Sequence, residues 1–373
     1  MSEDEFIIRE ARPEDNERLI DLARRCPMQG QFEMYTDRYP DFFATNRIQG
    51  EKAHIYVVER PADGDLVACV AFTEKHEKRG DKTIKVLHIG DLRTDPTLRR
   101  SKIAARLILI YRDMLYSGAY DHGMVEILEG NNAAINTHKL LGDDFAVNTE
   151  GKIIFYQLLP VRGYWPSKEF SYRQATAFDM PSIAALMQKS YGGAPGAPEF
   201  TVGWLKKQFA KHPSFTIKDV WLAVDKNQTI VASAGLWDQS SFRRTIVSNY
   251  TRAMKTGVRL LAFFGLLWKL PPAPKEGQAL SYTFIRWPAA PLDKVGALGE
   301  LTRFLVNRVR SENRHQFLSV GFNEFDPLQT SLEGITKVKE NIQVFSHWLK
   351  KSEAYQDVGE IPAQRRFVDL TLI

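Results

Sequence analysis

Arg99, Arg100 and Lys102, with Ser101 among them, crowd into one turn of the segment IGDLRTDPTLRRSKIAARLI, Ile89 to Ile108. A β-rich run ends near Thr94, Asp95-Pro96 turns the chain, and a helical apolar pattern starts around Arg99. A helix N-terminus offers unpaired backbone N–H groups and a partial positive charge, which together suit a diphosphate. Cations on that turn oppose the helix dipole, so three of them there are expected to face a bound anion. Proton-transfer groups lie in the same region. His88 and Asp91 sit in the strand that leads into the turn, Glu126 in the next strand, and His138 in the helix after it.

The elements that must position these groups repeat. FIIREARPEDNERLIDL (Phe6 to Leu22) aligns without gaps on FSYRQATAFDMPSIAAL (Phe170 to Leu186), a shift of 164 positions that also carries VACVAF (Val67 to Phe72) onto VASAGL (Val231 to Leu236). Two matches at one offset indicate halves of one fold. Each half opens with a short strand, a turn with an acidic N-cap candidate (Asp15, Asp179), and a helix. The first half continues with strands at His54–Glu59, Leu66–Thr73 and Thr83–Arg93, a helix from Leu98 to about Tyr116 and a strand at Gly123–Leu128. A helix at about Asn132–Leu141 and a last strand at Lys152–Leu158 complete it. A β-meander followed by βαβ is an α/β arrangement with a mixed, mostly antiparallel sheet flanked by helices.

Two domains are expected, 1–160 and 161–373, joined through LPVRGYWPSKE (Leu159 to Glu169). The second carries an insertion at about 239–278 that reads as helical: Arg243, Arg244, Arg252, Lys255 and Arg259 precede an apolar run from Leu260 to Trp268. Pro27 to Phe43 holds Phe32, Tyr35, Tyr39, Phe42 and Phe43, material for a core or an aromatic-lined pocket.

Composition narrows the class. The 373 residues suit two domains of ordinary size. A net charge of +5 falls short of the concentrated basic field of a nucleic-acid binder, so no nucleic-acid partner is expected. Cys26 and Cys69 lack disulfide or metal-ligand spacing, which predicts no metal and a reducing compartment. The start MSEDEF is not a secretory signal, and Leu260 to Trp268 is far shorter than the ~20 residues of a membrane span. A cytoplasmic location follows as the expectation.

With Arg99-Arg100-Ser101-Lys102-Ile103-Ala104 standing after a strand and a Pro turn, the chain resembles the GNAT superfamily of N-acetyltransferases. That family's CoA loop reads Arg/Gln-x-x-Gly-x-Gly/Ala, and Lys102 replaces its first glycine. EGNNAAINTHKLLGDDF resembles the family's Asn-led helix, with Asn132 or Asn131 leading, Ala134 at the alanine, Gly142 at the glycine and His138 where the family has its tyrosine.

The resemblance implies acetyl-CoA as cosubstrate. It places Leu92, Arg93 and Thr94 along the pantetheine arm, and Arg99, Arg100, Ser101, Lys102, Ile103, Ala104 and Asn132 on the cofactor. His138 is then the acid for the leaving thiolate, and Asp91 and Glu126, with His88 third, are candidate bases. The acceptor is expected to be an amine on a small molecule or peptide. Lys294 to Gly299 echoes the loop poorly, and Asp293 would oppose phosphate, so the second half is read as degenerate in CoA binding. The competing expectation is a non-catalytic acyl-CoA sensor or interaction module.

Overall fold

Arg9 and Asp15 lie six residues apart because the first strand must be tied to the turn that starts the first helix. Two Arg9 nitrogens grip both Asp15 oxygens, at 2.7 and 2.9 Å, and Asp15 also accepts from the Arg12 amide. Arg173 and Asp179 repeat the bidentate pair at 2.8 and 2.7 Å, with the Thr176 amide in place of Arg12. The aligned residues of the two openings are thus one clamp used twice.

The computed structural model describes residues 6–28, 32–80, 82–98, 101–165, 167–252, 255, 272–358 and 364–373. The first half comprises β1 (Ile7–Glu10), α1 (Asn16–Arg25), β2 (Phe32–Asp37), α2 (Phe43–Gln49), β3 (Lys52–Arg60), β4 (Asp65–Arg79), β5 (Lys82–Thr94), α3 (Ile103–Tyr116), β6 (His122–Leu128), α4 (Asn132–Asn136) and β7 (Phe145–Leu158). The second comprises β8 (Ser171–Gln174), α5 (Met180–Tyr191), α6 (Val202–Lys211), β9 (Val220–Val224), β10 (Ile230–Trp237), β11 (Arg244–Tyr250), β12 (Tyr282–Ala289), α7 (Val295–Glu312), β13 (Phe317–Asn323) and β14 (Lys337–Leu349), followed by α8 (Glu353–Val358).

Twelve strands form one sheet in the order β1-β3-β4-β5-β6-β14-β7-β13-β12-β10-β9-β8. Read from either end the order follows the same plan, so the halves are two units of one fold laid side by side. Each last strand has crossed over. β14 lies against β6 of the first half, and β7 lies against β13 of the second. The two crossing strands pair with each other along most of their length.

Alternation along β4 and β5 assigns the faces. Val70, Phe72, Leu87 and Ile89 pack under α3, whereas Cys69 and Ala71 pack on the opposite face with Leu19 and Leu22 of α1. Cys26 lies in that second cluster and no disulfide joins it to Cys69. Phe42 is fully buried in the same core, so this aromatic of the Pro27–Phe43 segment serves packing.

Residues 244–250 correct the expectation of a helical insertion. The run Arg-Thr-Ile-Val-Ser-Asn-Tyr is rich in β-branched residues, and it pairs antiparallel with β2 as a separate two-stranded sheet. The apolar run from Leu260 to Trp268 lies outside the described residues.

Gly123 lets α3 lie close against the sheet. A Cβ there would come to 1.8 Å from the Tyr111 hydroxyl oxygen. Tyr111 cannot yield easily, because it is buried and hydrogen-bonded to His347 Nδ1 at 2.8 Å. Gly123→Ala is therefore expected to destabilise the fold by about 1–3 kcal/mol through overpacking, as read in denaturant unfolding.

Candidate active site between two parting strands

β5 and β6 run parallel but stay paired only from Val86↔His122 to His88↔Met124. Beyond that point β5 keeps its partner β4 as far as Thr94, and β6 keeps its partner β14 as far as Leu128. The facing edges part, and the β5 amides turned toward β6 leave the ladder. A parallel fork of this kind gives an extended, polar chain two edges to hydrogen-bond.

The fork is shaped by a bulge. Between Ala71↔Gly90 and Cys69↔Arg93, the single residue Val70 faces both Asp91 and Leu92. Asp91 takes φ +54°, a left-handed conformation that costs a non-glycine residue about 1 kcal/mol. Its carboxylate explains how it is held. Oδ1 accepts from Arg38 Nη2 at 2.7 Å and Arg93 Nη2 at 3.0 Å, and Oδ2 from Asn46 Nδ2 at 3.2 Å. Burial alone would raise the Asp91 carboxyl, but the two guanidiniums override it and hold it well below the usual carboxylate range. The second half repeats the device, with Ala234 facing Trp287 and Pro288, and Trp287 at φ +52°.

His88 closes the fork from below. It is buried, and its Nε2 is hydrogen-bonded to Glu126 Oε2. Burial pushes the Glu126 carboxyl up, but His88, Lys75 and Arg366 outweigh it and bring it down to about 2. Glu126 is an anion at neutral pH that fixes the imidazole ring of His88. His88 lies opposite Thr73, two residues from Ala71, so this pair faces the α1 side of the sheet.

His138 lies on the other face. It sits in the 3₁₀ segment Thr137–Leu141 that prolongs α4, with its ring 5.0 Å from His347 and 4.7 Å from Phe345. Its Nε2 and that of His347 are buried without a hydrogen-bond partner among the described residues. Burial lowers the pKa of His138, and burial with the neighbouring His138 and His122 brings His347 down to about 3. His347 was invisible in the sequence, since β14, its carrier, belongs to the other half.

The turn after β5 is pinned at its base. Asp95 accepts from the Thr97 amide and hydroxyl, at 3.0 and 2.7 Å, and pairs with Arg25. A 3₁₀ turn covers Pro96–Leu98, Ser101 bonds back to the Leu98 carbonyl, and α3 begins at Ile103 rather than Leu98. Lys102, in the N-cap position, supplies no side-chain cap. Ile103 is buried and Ala104 half-buried, while Arg99 and Arg100 lie outside the described residues. Leu92 turns toward the α3 face, and Thr94 pairs with Ala68 at the fork's outer end. At α4, Asn131 is the capping residue, accepting from the Ala134 amide at 3.2 Å, and Asn132 beside it is exposed.

The second fork, where β12 and β13 part after Phe284↔Ser319, is filled. Asp369 near the chain end accepts from Arg286 Nε and Nη2 at 3.0 and 2.8 Å and from Trp287 Nε1 at 2.9 Å. Leu370 packs on Gly321 of β13, its Cβ 3.0 Å from where a Cβ on that glycine would stand. α7 starts directly after its 3₁₀ turn Leu292–Lys294, so the second half has no counterpart of the loop at 99–102.

A helix-leading turn, a forked parallel pair and a bulged strand thus stand together in the first half. Residues 16–143 match the model of the acetyltransferase (GNAT) family, so the first half carries a GNAT domain, an acyltransferase domain. Over the whole chain, the fold is similar to crystal structures of Saccharomyces cerevisiae N-myristoyltransferase with bound myristoyl-CoA. One has a TM-score of 0.60 at 10% identity, covering 93% of this chain and 83% of that one. Another, with inhibitors also bound, has a TM-score of 0.58 at 11% identity, covering 93% and 81%. No curated protein matches the sequence. Among the described residues, no helix is long and apolar enough to cross a membrane.

Proposed function

We propose that the chain is an N-acyltransferase whose first half takes an acetyl group from acetyl-CoA and passes it to a primary amine. The observation that carries this reading is the fork that opens directly above the His88–Glu126 pair and leads to the turn at α3. The pantetheine arm lies along β5 from Leu92 to Thr94, with the diphosphate at the turn of Arg99 to Ala104. Backbone amides of the parted strand polarise the thioester carbonyl. His88 takes a proton from the acceptor ammonium, Glu126 holds its ring, and the amine nitrogen attacks the thioester carbon. The C–S bond then breaks, His138 hands a proton to the departing thiolate, and the acylated nitrogen releases its surplus proton to solvent. Asp91, paired on both oxygens, shapes the strand. The filled second fork supports a single CoA site per chain.

Release of free thiol from acetyl-CoA, followed across a panel of amines, tests the proposal. Calorimetry showing no uptake of CoA or its esters would overturn it, and uptake without turnover on any amine would leave a sensor. Myristoyl-CoA, the ligand of the similar structures, is the comparison donor. A preference for it would replace acetyl by a long acyl group.

Reversing both charges, Arg99→Glu with Arg100→Glu, is expected to weaken CoA binding at least about a hundredfold. Each charge-assisted contact contributes about 1.5 kcal/mol or more. An unchanged dissociation constant in calorimetry would remove the turn from the cofactor site.

A further inference from the structure

Arg38, Arg93 and Arg243 converge beside the Asp91 bulge, on the face of the sheet that carries His88. Arg38 follows β2, and its side chain is 5% exposed. It lies over the Phe42 ring at 4.8 Å and donates to Asn46 Oδ1 at 3.0 Å as well as to Asp91. Arg93 pairs across to Cys69, which faces α1. Arg244 pairs with Asp37 at the end of the β2–β11 ladder, which sets Arg243, just before β11, beside Arg38. Arg38 and Arg93 share one carboxylate, Asp91, and among the described residues Arg243 has no carboxylate partner. Asp37, beside Arg38 in sequence, is already held by Arg244 at 2.6 Å and Arg24 at 3.6 Å.

Three of the guanidinium nitrogens have no partner. Arg38 Nε, Arg93 Nε and Arg243 Nη1 are buried without a hydrogen bond among the described residues. Buried N–H groups are normally satisfied and buried charges normally paired. An excess of cationic donors converging in one place is what a planar anion requires, since the guanidinium fork matches a carboxylate.

We infer that Arg38, Arg93 and Arg243 form a receptor for a carboxylate on the amine acceptor, an inference that rests on the acyl-transfer reading above for the word acceptor. The site lies three residues along β5 from His88, roughly 10 Å at the rise of a strand. The acceptor therefore carries its carboxylate several bonds from the amine that is acylated, as an ω-amino acid or an acidic peptide does. The Asp91 carboxylate keeps Arg38 and Arg93 in place and leaves the third positive charge to the substrate.

Calorimetry on the full chain, with and without saturating CoA, uses glutarate as the probe and glutaramide as its neutral counterpart. Glutarate is expected to bind at least tenfold more tightly than glutaramide and to lose about tenfold in Arg243→Gln. The melting temperature should hold, because among the described residues the Arg243 side chain makes no hydrogen bond to lose. Equal binding of the two probes, or an unchanged affinity in Arg243→Gln, overturns the receptor. Expulsion of glutarate by CoA assigns the anion to the cofactor's phosphates and overturns its link to the acceptor. In turnover, 5-aminopentanoate should exceed 5-aminopentanamide at least tenfold in kcat/KM, and the preference should vanish in Arg243→Gln. Turnover of both amines alike refutes the acceptor assignment. Glutarate binding with no turnover of either amine leaves the receptor standing and removes acyl transfer.

Discussion

His88→Gln is expected to lower kcat/KM for acyl transfer by ~10²–10⁴-fold, the span of a lost general base. Glutamine keeps a donor for Glu126 and much of the volume, so the fold should survive. The decisive readout is the pH profile. In the unchanged protein kcat/KM should fall on the acid side as the base becomes protonated, and that limb should disappear in His88→Gln. A merely structural histidine would lower stability and leave the limb in place. Glu126→Gln should give a smaller loss, because Glu126 acts through His88. The folded-state value of its carboxyl, about 2, lies below the ordinary 4.5, so the anion is fully formed above pH 4.5. Its contribution to stability is present there and fades as the pH falls toward 2. A carboxylate held this low is a poor proton acceptor at neutral pH, but it can fix which nitrogen of its neighbour accepts one.

The halves were legible because their clamps are chemical. Arg9–Asp15 and Arg173–Asp179 need both residues at a fixed spacing, and a shift of 164 positions keeps them. The same shift carries Ala71 to Gly235 in register, whereas Gly90 and Arg286 differ by 196, the difference being the stretch that contains β11. The strands of the first half other than β2 were legible too, from β-rich runs between turn and helix signals. The fork was foreseen only through family resemblance, since nothing in a strand's own sequence says where its neighbour leaves it.

What stayed hidden depends on distant pairing. β7 reads as an ordinary last strand, and no local pattern tells it or β14 to cross to the other half. His347 therefore lay outside any motif although it hydrogen-bonds Tyr111 beneath the first fork. Arg38 and Arg243 were hidden for the same reason. β2 and β11 find each other across 207 positions of sequence at Arg244–Asp37, and only that pairing brings Arg243 to the bulge. Asp91 looked like a base because a carboxylate in a strand near a cofactor turn is a natural one. Its partners are what change the reading, and they come from β2, α2 and its own strand.

Removing that carboxylate should produce the largest change in stability. In Asp91→Ala the Arg38 guanidinium stays buried with its ion pair gone, which costs about 3–5 kcal/mol. Relief of the left-handed backbone would return nothing, because alanine dislikes φ +54° as well. Asp91→Asn keeps an acceptor for Arg38 and is the more conservative test of charge alone. The pH dependence separates the two effects. The Asp91 pKa is lowered in the fold, so its stabilisation is complete above the ordinary carboxylate value and is lost as the pH falls below it. Urea midpoints of the unchanged protein and Asp91→Asn should therefore lie far apart at neutral pH and draw together in acid. A constant gap at every pH would mean that the carboxylate holds the bulge by shape and not by charge. The three arginines would then need no anion to account for their convergence.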